Sequence, residues 1–303
     1  MRIGIASNVV LDTLQNANGD IEHSFGGPPF YAGITCRRFG FEVALATKIG
    51  TDAYSEAKEL LQREKISIDD KQISSTPATR FSISQDADSR KLMMLSKCSP
   101  LSTADIVDMK VDCWLVSPVF DEVPSDVLRA ITNNRGKKDF VMLDPQGYMR
   151  ITDDQGNVFL RQHLDLDLSG LTAIKVDQTE MKALTGGLVG IEGMLALQAK
   201  GIELILSTVP NEIHLLHRNV HYWAKIKQVD TPDSTGAGDI LSAAFSCSFL
   251  KEKDSLWALC FGAGTLRAAL ETKQVGLAKI PSYPYIEENA SYFYNTVGFK
   301  RLS

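Results

Sequence analysis

The sequence has no uncharged apolar run approaching the roughly 18 residues that a membrane-crossing helix needs. It has no C-x-x-C pair. Its five cysteines, Cys36, Cys98, Cys113, Cys247 and Cys260, are odd in number, far apart and mostly set in apolar runs. That spacing argues against a disulfide framework or a zinc site and for reduced, buried thiols in a cytosolic protein. An excess of basic residues is also missing. With 32 Lys and Arg against 37 Asp and Glu, the formal charge is −5, so no general affinity for nucleic acid or anionic membranes is expected. No G-x-x-x-x-G-K-[ST] occurs, which excludes a Walker-type nucleotide site. The start, Met1-Arg2-Ile3-Gly4-Ile5, reads as a strand because it lacks the apolar core and cleavage site of a signal peptide. Internal repeats, low-complexity tracts and linker-like stretches are absent as well.

What is present is ordinary globular composition, 44% hydrophobic and 23% charged over 303 residues, enough for a substantial core. The most informative stretch is Val229–Leu250. It begins polar, passes through Gly236-Ala237-Gly238-Asp239 and continues into small and apolar residues without Pro or charge. Such a segment predicts a turn feeding the N-terminus of a buried helix, with free amides and the positive end of the helix dipole facing whatever lies beyond. Glycines let a ligand approach the backbone, which is the geometry of an anion hole. Asp239, in the first turn, should remain ionised under the dipole and able to accept a proton. Taken alone, a G-x-G-D is better explained by a helix cap.

Along the chain, strands and helices alternate in the rhythm of a doubly wound parallel sheet. Apolar runs at 3–10, 42–49, 113–117, 140–144, 171–176 and 203–208 predict strands, and Asp12 should lie just past the end of the first. Helices are expected over 30–39, 52–64, 124–133, 178–184, 190–199, 255–270 and 281–292. Segments 76–84 and 91–95 form a hairpin around the polar 85–89 and stand apart from the parallel core. A second hairpin, 213–216 with 220–224, scatters His214, His217 and His221 along strands instead of gathering them as a metal triad.

The string D-S-T-G-A-G-D (233–239), followed by a small-residue helix, resembles the C-terminal signature of the PfkB (ribokinase-like) carbohydrate kinases. Gly26-Gly27, Ala32, Gly40 and Lys48-Ile49-Gly50-Thr51-Asp52 are similar to the N-terminal one. The resemblance covers essentially the whole chain. It implies one α/β domain over 1–303, a mostly parallel sheet flanked by helices, with a small β lid from about 12–25 and 74–98. It implies Asp239 as catalytic base, Gly236, Ala237 and Gly238 as anion hole, and Gly26 and Gly27 as the seat of the phosphoryl acceptor. Asp12 stands where sugar kinases hold substrate hydroxyls, work that suits a carboxylate with two accepting oxygens. Tyr31 replaces a common Asn. In Asp144-Pro145-Gln146-Gly147-Tyr148-Met149-Arg150, Gln146 replaces another Asn and Arg150 falls two residues late. Asp177-Gln178-Thr179-Glu180 stands in place of N-x-x-E, a motif linked to Mg2+ and phosphate, so Asp177 and Glu180 are the metal candidates. The nucleotide base is expected near the strand at Ser207-Thr208 and the loops around Gly262 to Thr265 and Gln274 to Gly276, with Ser207, Gly264 and Gly276 as the candidates. These departures, with Lys97-Cys98-Ser99-Pro100 and Val116-Ser117-Pro118-Val119, are similar to an archaeal subgroup that includes a myo-inositol kinase.

The implied activity is transfer of the γ-phosphoryl group of ATP, with Mg2+, to a hydroxyl of a small-molecule sugar or polyol. A nucleoside kinase of the same family is the nearest alternative. A non-catalytic nucleotide- or sugar-binding regulator is the alternative from another class. A homodimer formed through the lid is a further expectation of the family.

Overall fold

The computed structural model describes residues 1–15, 21–86, 89–133, 140–227, 229, 231 and 233–302. Its frame is a nine-stranded sheet. From one edge the order runs Glu42–Ala46, Arg2–Ala6, Cys113–Val116, Phe140–Leu143, Ala173–Asp177 and Leu204–Val209, all parallel. Glu212–His217, Val220–Lys225 and Gly298–Arg301 continue it antiparallel to the other edge. The parallel strands are apolar throughout because helices cover both faces. In Cys113–Val116, Cys113 and Leu115 join the core under one helical layer, while Trp114 and Val116 join the core on the opposite face. The first layer includes Pro28–Arg38, Tyr54–Arg63, Ala237–Glu252 and Ser255–Glu271, through Phe30, Leu61, Phe245 and Leu259. The second includes Ser125–Asn133, Gln178–Thr185 and Gly190–Ala199, through Leu128, Met181 and Leu197. This is the ribokinase-like doubly wound α/β architecture.

A separate four-stranded sheet, ordered Ile21–Gly26, Val10–Gln15, Thr79–Asp86 and Ser89–Ser96, stands beyond the carboxyl ends of the parallel strands. The expected polar turn at 85–89 and lid segment 12–25 fall partly on 87–88 and 16–20, outside the described residues.

Two expected strands end early. The run 3–10 divides into Arg2–Ala6 in the large sheet and Val10–Gln15 in the small one. Between them Ser7 and Asn8 turn aside to the buried carboxylate of Glu122, which accepts from the Ser7 hydroxyl and the Asn8 amide at 3.1 Å each. Asp12 therefore lies within a strand of the small sheet, paired with Ser24 and Phe81, and not in a loop after the first strand. The run 42–49 likewise stops at Ala46, and Ile49–Gly50 pairs with Ile73–Ser74 instead. Here the Asn8 side chain intervenes, its Oδ1 accepting the Lys48 amide at 2.7 Å. The hairpin Arg150–Thr152 with Val158–Leu160 and the closing strand Gly298–Arg301 have no counterpart in the sequence reading. Both are short edge pieces with little apolar periodicity.

Candidate active site

The helix Ala237–Glu252 is buried along ten of its residues, mostly Ala, Ser, Leu and Phe, and its mouth opens on a cleft of about 670 Å3. Gly236 caps it with φ of 74°, a left-handed conformation that costs other residues energy. A Cβ at Gly236 would overlap the ring of Tyr31. Tyr31, 1% exposed, thus supports the turn from below while its edge lines the cleft. Lys279 completes the support: its ammonium lies 5.2 Å from the Tyr31 ring centre and donates to the Asp233 carboxylate at 2.8 Å. Asp233 also accepts the amides of Thr235 and Gly276, both at 2.8 Å. Fully paired in this way, Asp233 fixes the shape of the anion-hole turn and pins the 276–279 segment to it.

Asp239 lines the cleft just inside the turn and accepts from the Ser117 hydroxyl at 3.2 Å. The expectation that the dipole keeps it fully ionised is corrected by its surroundings. Burial, followed by the like charge of Asp144, pushes its carboxyl up to about 7, against the smaller pull of Lys175, Ser117 and Arg150. Desolvation outweighs a helix dipole, which contributes about 1 kcal/mol. An Asp poised near neutrality is well matched to taking a proton at working pH.

Facing this wall are Asp12, Gly27, Gln146 and Arg150. Asp12 is 7% exposed. Gly26 is small for its sake, since a Cβ there would come within 2.9 Å of Asp12 Oδ2. Gln146 opens the short helix Gln146–Met149 and stays exposed, with its backbone N–H donating to Asp144 Oδ1 at 3.2 Å. Arg150 donates to the Val119 carbonyl at 2.9 Å and lies 5.6 Å over the Phe81 ring. Phe81, Ile83 and Leu92 of the small sheet and Val158–Leu160 of the hairpin roof the cleft.

At the other end, Asp177 and Glu180 cap the helix Gln178–Thr185 reciprocally. Asp177 Oδ1 accepts the amides of Thr179 and Glu180, and Glu180 Oε2 accepts that of Asp177. Glu180, 4% exposed, is raised above the usual carboxylate range by burial, although Lys175 opposes the shift. Each carboxylate uses one oxygen in the cap, so a cation in the cleft would meet the other oxygen. No group of three or more possible metal ligands occurs among the described residues. Two carboxylates with free oxygens fit Mg2+, an ion that keeps several of its waters and takes only one or two protein carboxylates.

Ser117, Asp144 and Asp177 sit at or just past the carboxyl ends of adjacent parallel strands, where open α/β sheets bind ligands. Lys175, which the sequence reading did not single out, lies one turn of the pleat earlier and pairs with Asp144 at 2.9 Å. A lone Lys inside the apolar strand A-I-K-V-D was the available signal. A charge placed there must have a partner.

Three residues expected at the nucleotide do not line the cleft. Gly264 is buried where the helices Ser255–Glu271 and Tyr283–Thr296 cross, and a Cβ on it would come within 2.7 Å of the Ala290 amide. Its glycine serves helix packing. The Gly276 amide is taken by Asp233. Ser207, 3% exposed, is interior to its strand. The neighbouring Thr208 instead lines a second cavity of about 310 Å3, which meets the first at Asp177 and includes Gln178, Thr179, Val209 and Pro210.

The pfkB family carbohydrate kinase model matches residues 3–281, and the chain belongs to that family. It is a sugar kinase by family, a phosphotransferase with an alcohol group as acceptor. No curated protein matches the sequence significantly. Among solved structures, a pyrophosphate-dependent kinase of the ribokinase family, determined with sulfate, is similar with a TM-score of 0.81 and 22% identity, covering 95% of this chain and 99% of that one. A pyrophosphate-dependent myo-inositol-1 kinase carrying substitutions that convert it to a myo-inositol-3 kinase gives 0.79 and 22%, covering 96% and 98%. Ribokinase from Thermotoga maritima gives 0.76 and 17%, covering 95% and 99%. At these identities the likeness is one of fold.

Proposed function

We propose that the protein transfers the γ-phosphoryl group of ATP to a ring hydroxyl of a sugar or polyol, with an inositol as the first acceptor to test. The observation that carries this reading is the convergence of Asp239, the Gly236–Gly238 amides and Asp12 on one cleft. The acceptor sits between Asp12 and Arg150, where a carboxylate takes hydrogen bonds from neighbouring hydroxyls and a guanidinium donates to others. Asp239 lies within reach of the reacting hydroxyl and takes its proton. The Gly236, Ala237 and Gly238 amides face the charge on the transferring group, which in a loose transition state needs stabilisation more than it needs a strong base. Asp177 and Glu180 would hold Mg2+ through their remaining oxygens and water, and the ion would neutralise donor charge. The triphosphate lies along the cleft toward Asp177, and the adjoining groove at Thr208–Pro210 leaves room for the nucleoside. The small sheet and the 150–160 hairpin close over the acceptor and exclude water.

A second donor reading, pyrophosphate, is favoured by the displacement of Gly264 and Gly276 into structural roles and by the pyrophosphate dependence of two similar structures. The experiment is a matrix of donors (ATP, GTP, ADP, pyrophosphate) against acceptors (myo-inositol, ribose, fructose, cytidine, adenosine) with Mg2+. Phosphorylation of a polyol or sugar is expected. Cytidine or adenosine as the preferred acceptor would replace it with the nucleoside kinase, and ligand binding without transfer in any pair would leave a non-catalytic binding protein.

A further inference from the structure

A buried cation to which the transfer scheme gives no task stands at the foot of the anion hole. Lys175 is 7% exposed, yet it lines the cleft together with Asp144 and Gly238. Its Nζ donates to Asp144 Oδ2 at 2.9 Å. A Cβ built on Gly238 would lie 3.2 Å from that nitrogen, so the ammonium is directly beneath the amides that face the transferring group. Its pairing with Asp144 is a charge-assisted hydrogen bond.

A counter-ion serving Asp144 alone would be expected in the dry interior. Here both partners open on the cleft. The wall also carries Asp177, Glu180 and Asp239, all lining the same space, and a polyphosphate arriving there adds further negative charge. Arg150 is committed at the acceptor end to the Val119 carbonyl and the Phe81 ring. An ammonium has three donors; one of them is used on Asp144, and the Gly238 side of the nitrogen is where a phosphate oxygen would arrive.

We infer that Lys175 is a ligand of the donor phosphate, held by Asp144 and directed at the oxygens of the group bound over Gly236–Gly238. This rests on the kinase reading. In the step it serves, the acceptor hydroxyl gives its proton to Asp239 as its oxygen bonds to phosphorus. The bond from phosphorus to the bridging oxygen breaks, and its electron pair stays with the leaving phosphate or diphosphate. Lys175 forms no covalent bond and keeps its proton throughout, stabilising charge on the phosphate oxygens as it moves. Asp144 is then a positioning residue, whose task is to aim the ammonium.

The test uses the full-length protein with Lys175→Met and Lys175→Arg. Pyrophosphate and ATP binding are measured by calorimetry with Mg2+ and no acceptor, and thermal unfolding reports the fold. The Met variant should bind at least one of these donors about 10- to 100-fold more weakly, with acceptor affinity within about twofold, and Arg should recover part of the loss. A folded Lys175→Met that binds both donors as the parent does overturns the inference. Should Met leave Asp144 unpaired and the protein unfolded, Lys175→Met with Asp144→Asn removes both charges, and its donor affinity decides in the same way. A parent protein that binds neither polyphosphate overturns it as well. A parent that binds them but transfers to no alcohol sinks only the kinase reading, and the calorimetric comparison still decides the role of Lys175.

Discussion

The wall of the cleft that carries Gly236–Asp239, Asp144 and Lys175 is built from the interior of the protein, whereas the wall facing it is built from the edge. The first consists of a helix buried along ten of sixteen residues and of strands in the middle of a nine-stranded sheet. The second is a four-stranded sheet and a three-residue hairpin in which Phe159 and Leu160 are about half exposed. Amides and charges on the interior wall are held by the packing around them, which is the preorganisation that a proposed phosphate site requires. The edge wall is held through a small cluster of its own, Val10 and Phe81 with Val119 and Phe120, separate from the two large cores, and an element packed apart from the main core is suited to closing. The proposed chemistry thus falls on the interior wall and the proposed enclosure on the edge wall.

The strongest way to break this contrast is Asp239→Ala. Turnover should fall by about 10^2- to 10^4-fold with donor affinity retained in calorimetry, and unchanged turnover would remove the base from its role. Next is Lys279→Met, which strands the Asp233 carboxylate beneath the turn. Urea denaturation should show a loss of about 3 kcal/mol, and a neutral result would mean that the turn keeps its shape without this pair.

On the opposite wall, Asp12→Asn should raise the acceptor KM about tenfold and leave the donor KM unchanged. Equal changes in both would place Asp12 with the phosphate. A pH series sharpens the electrostatic side. Asp239 must lose its proton to act, so kcat/KM should climb as pH rises through about 7, and Asp144→Asn should move that rise to lower pH by removing a like charge. Stability runs the other way. Between the ordinary carboxylate range and about 7 the folded protein keeps a proton that the unfolded chain has lost, so stability falls as pH rises across this window. Denaturation curves for Asp239→Asn should lack that slope. The smallest effect is expected for Phe159→Ser on the hairpin, within about 0.5 kcal/mol of the parent. A much larger loss would show the edge wall to be as firmly packed as the interior one.

Local patterns carried the helix Gly190–Ala199 to its final residue and the strands Cys113–Val116 and Phe140–Leu143 to within one, because the two strands are buried at every residue and the helix buries Met194 and Leu197 at helical spacing. The 233–239 string marked the mouth of the buried helix for a similar reason: glycines followed by small apolar residues specify a turn and a tightly packed helix from neighbouring positions alone. Asp12 and Gly264 were legible as residues but not as places. One belonged to a strand that leaves the large sheet at Ser7, and the other to a helix crossing with Ala290.

The chain by itself thus determined an acidic α/β protein of alternating strands and helices, with amides and a carboxylate at the start of one buried helix. Those features depend on periodicity and on contacts a few residues apart. Only the tertiary structure decided that Asp239 is poised near 7, that Lys175 lies under Gly238 and that Tyr31 and Lys279 support the turn. Each of these depends on desolvation and Coulomb interaction between segments far apart in sequence, and distance through space is what no local pattern encodes.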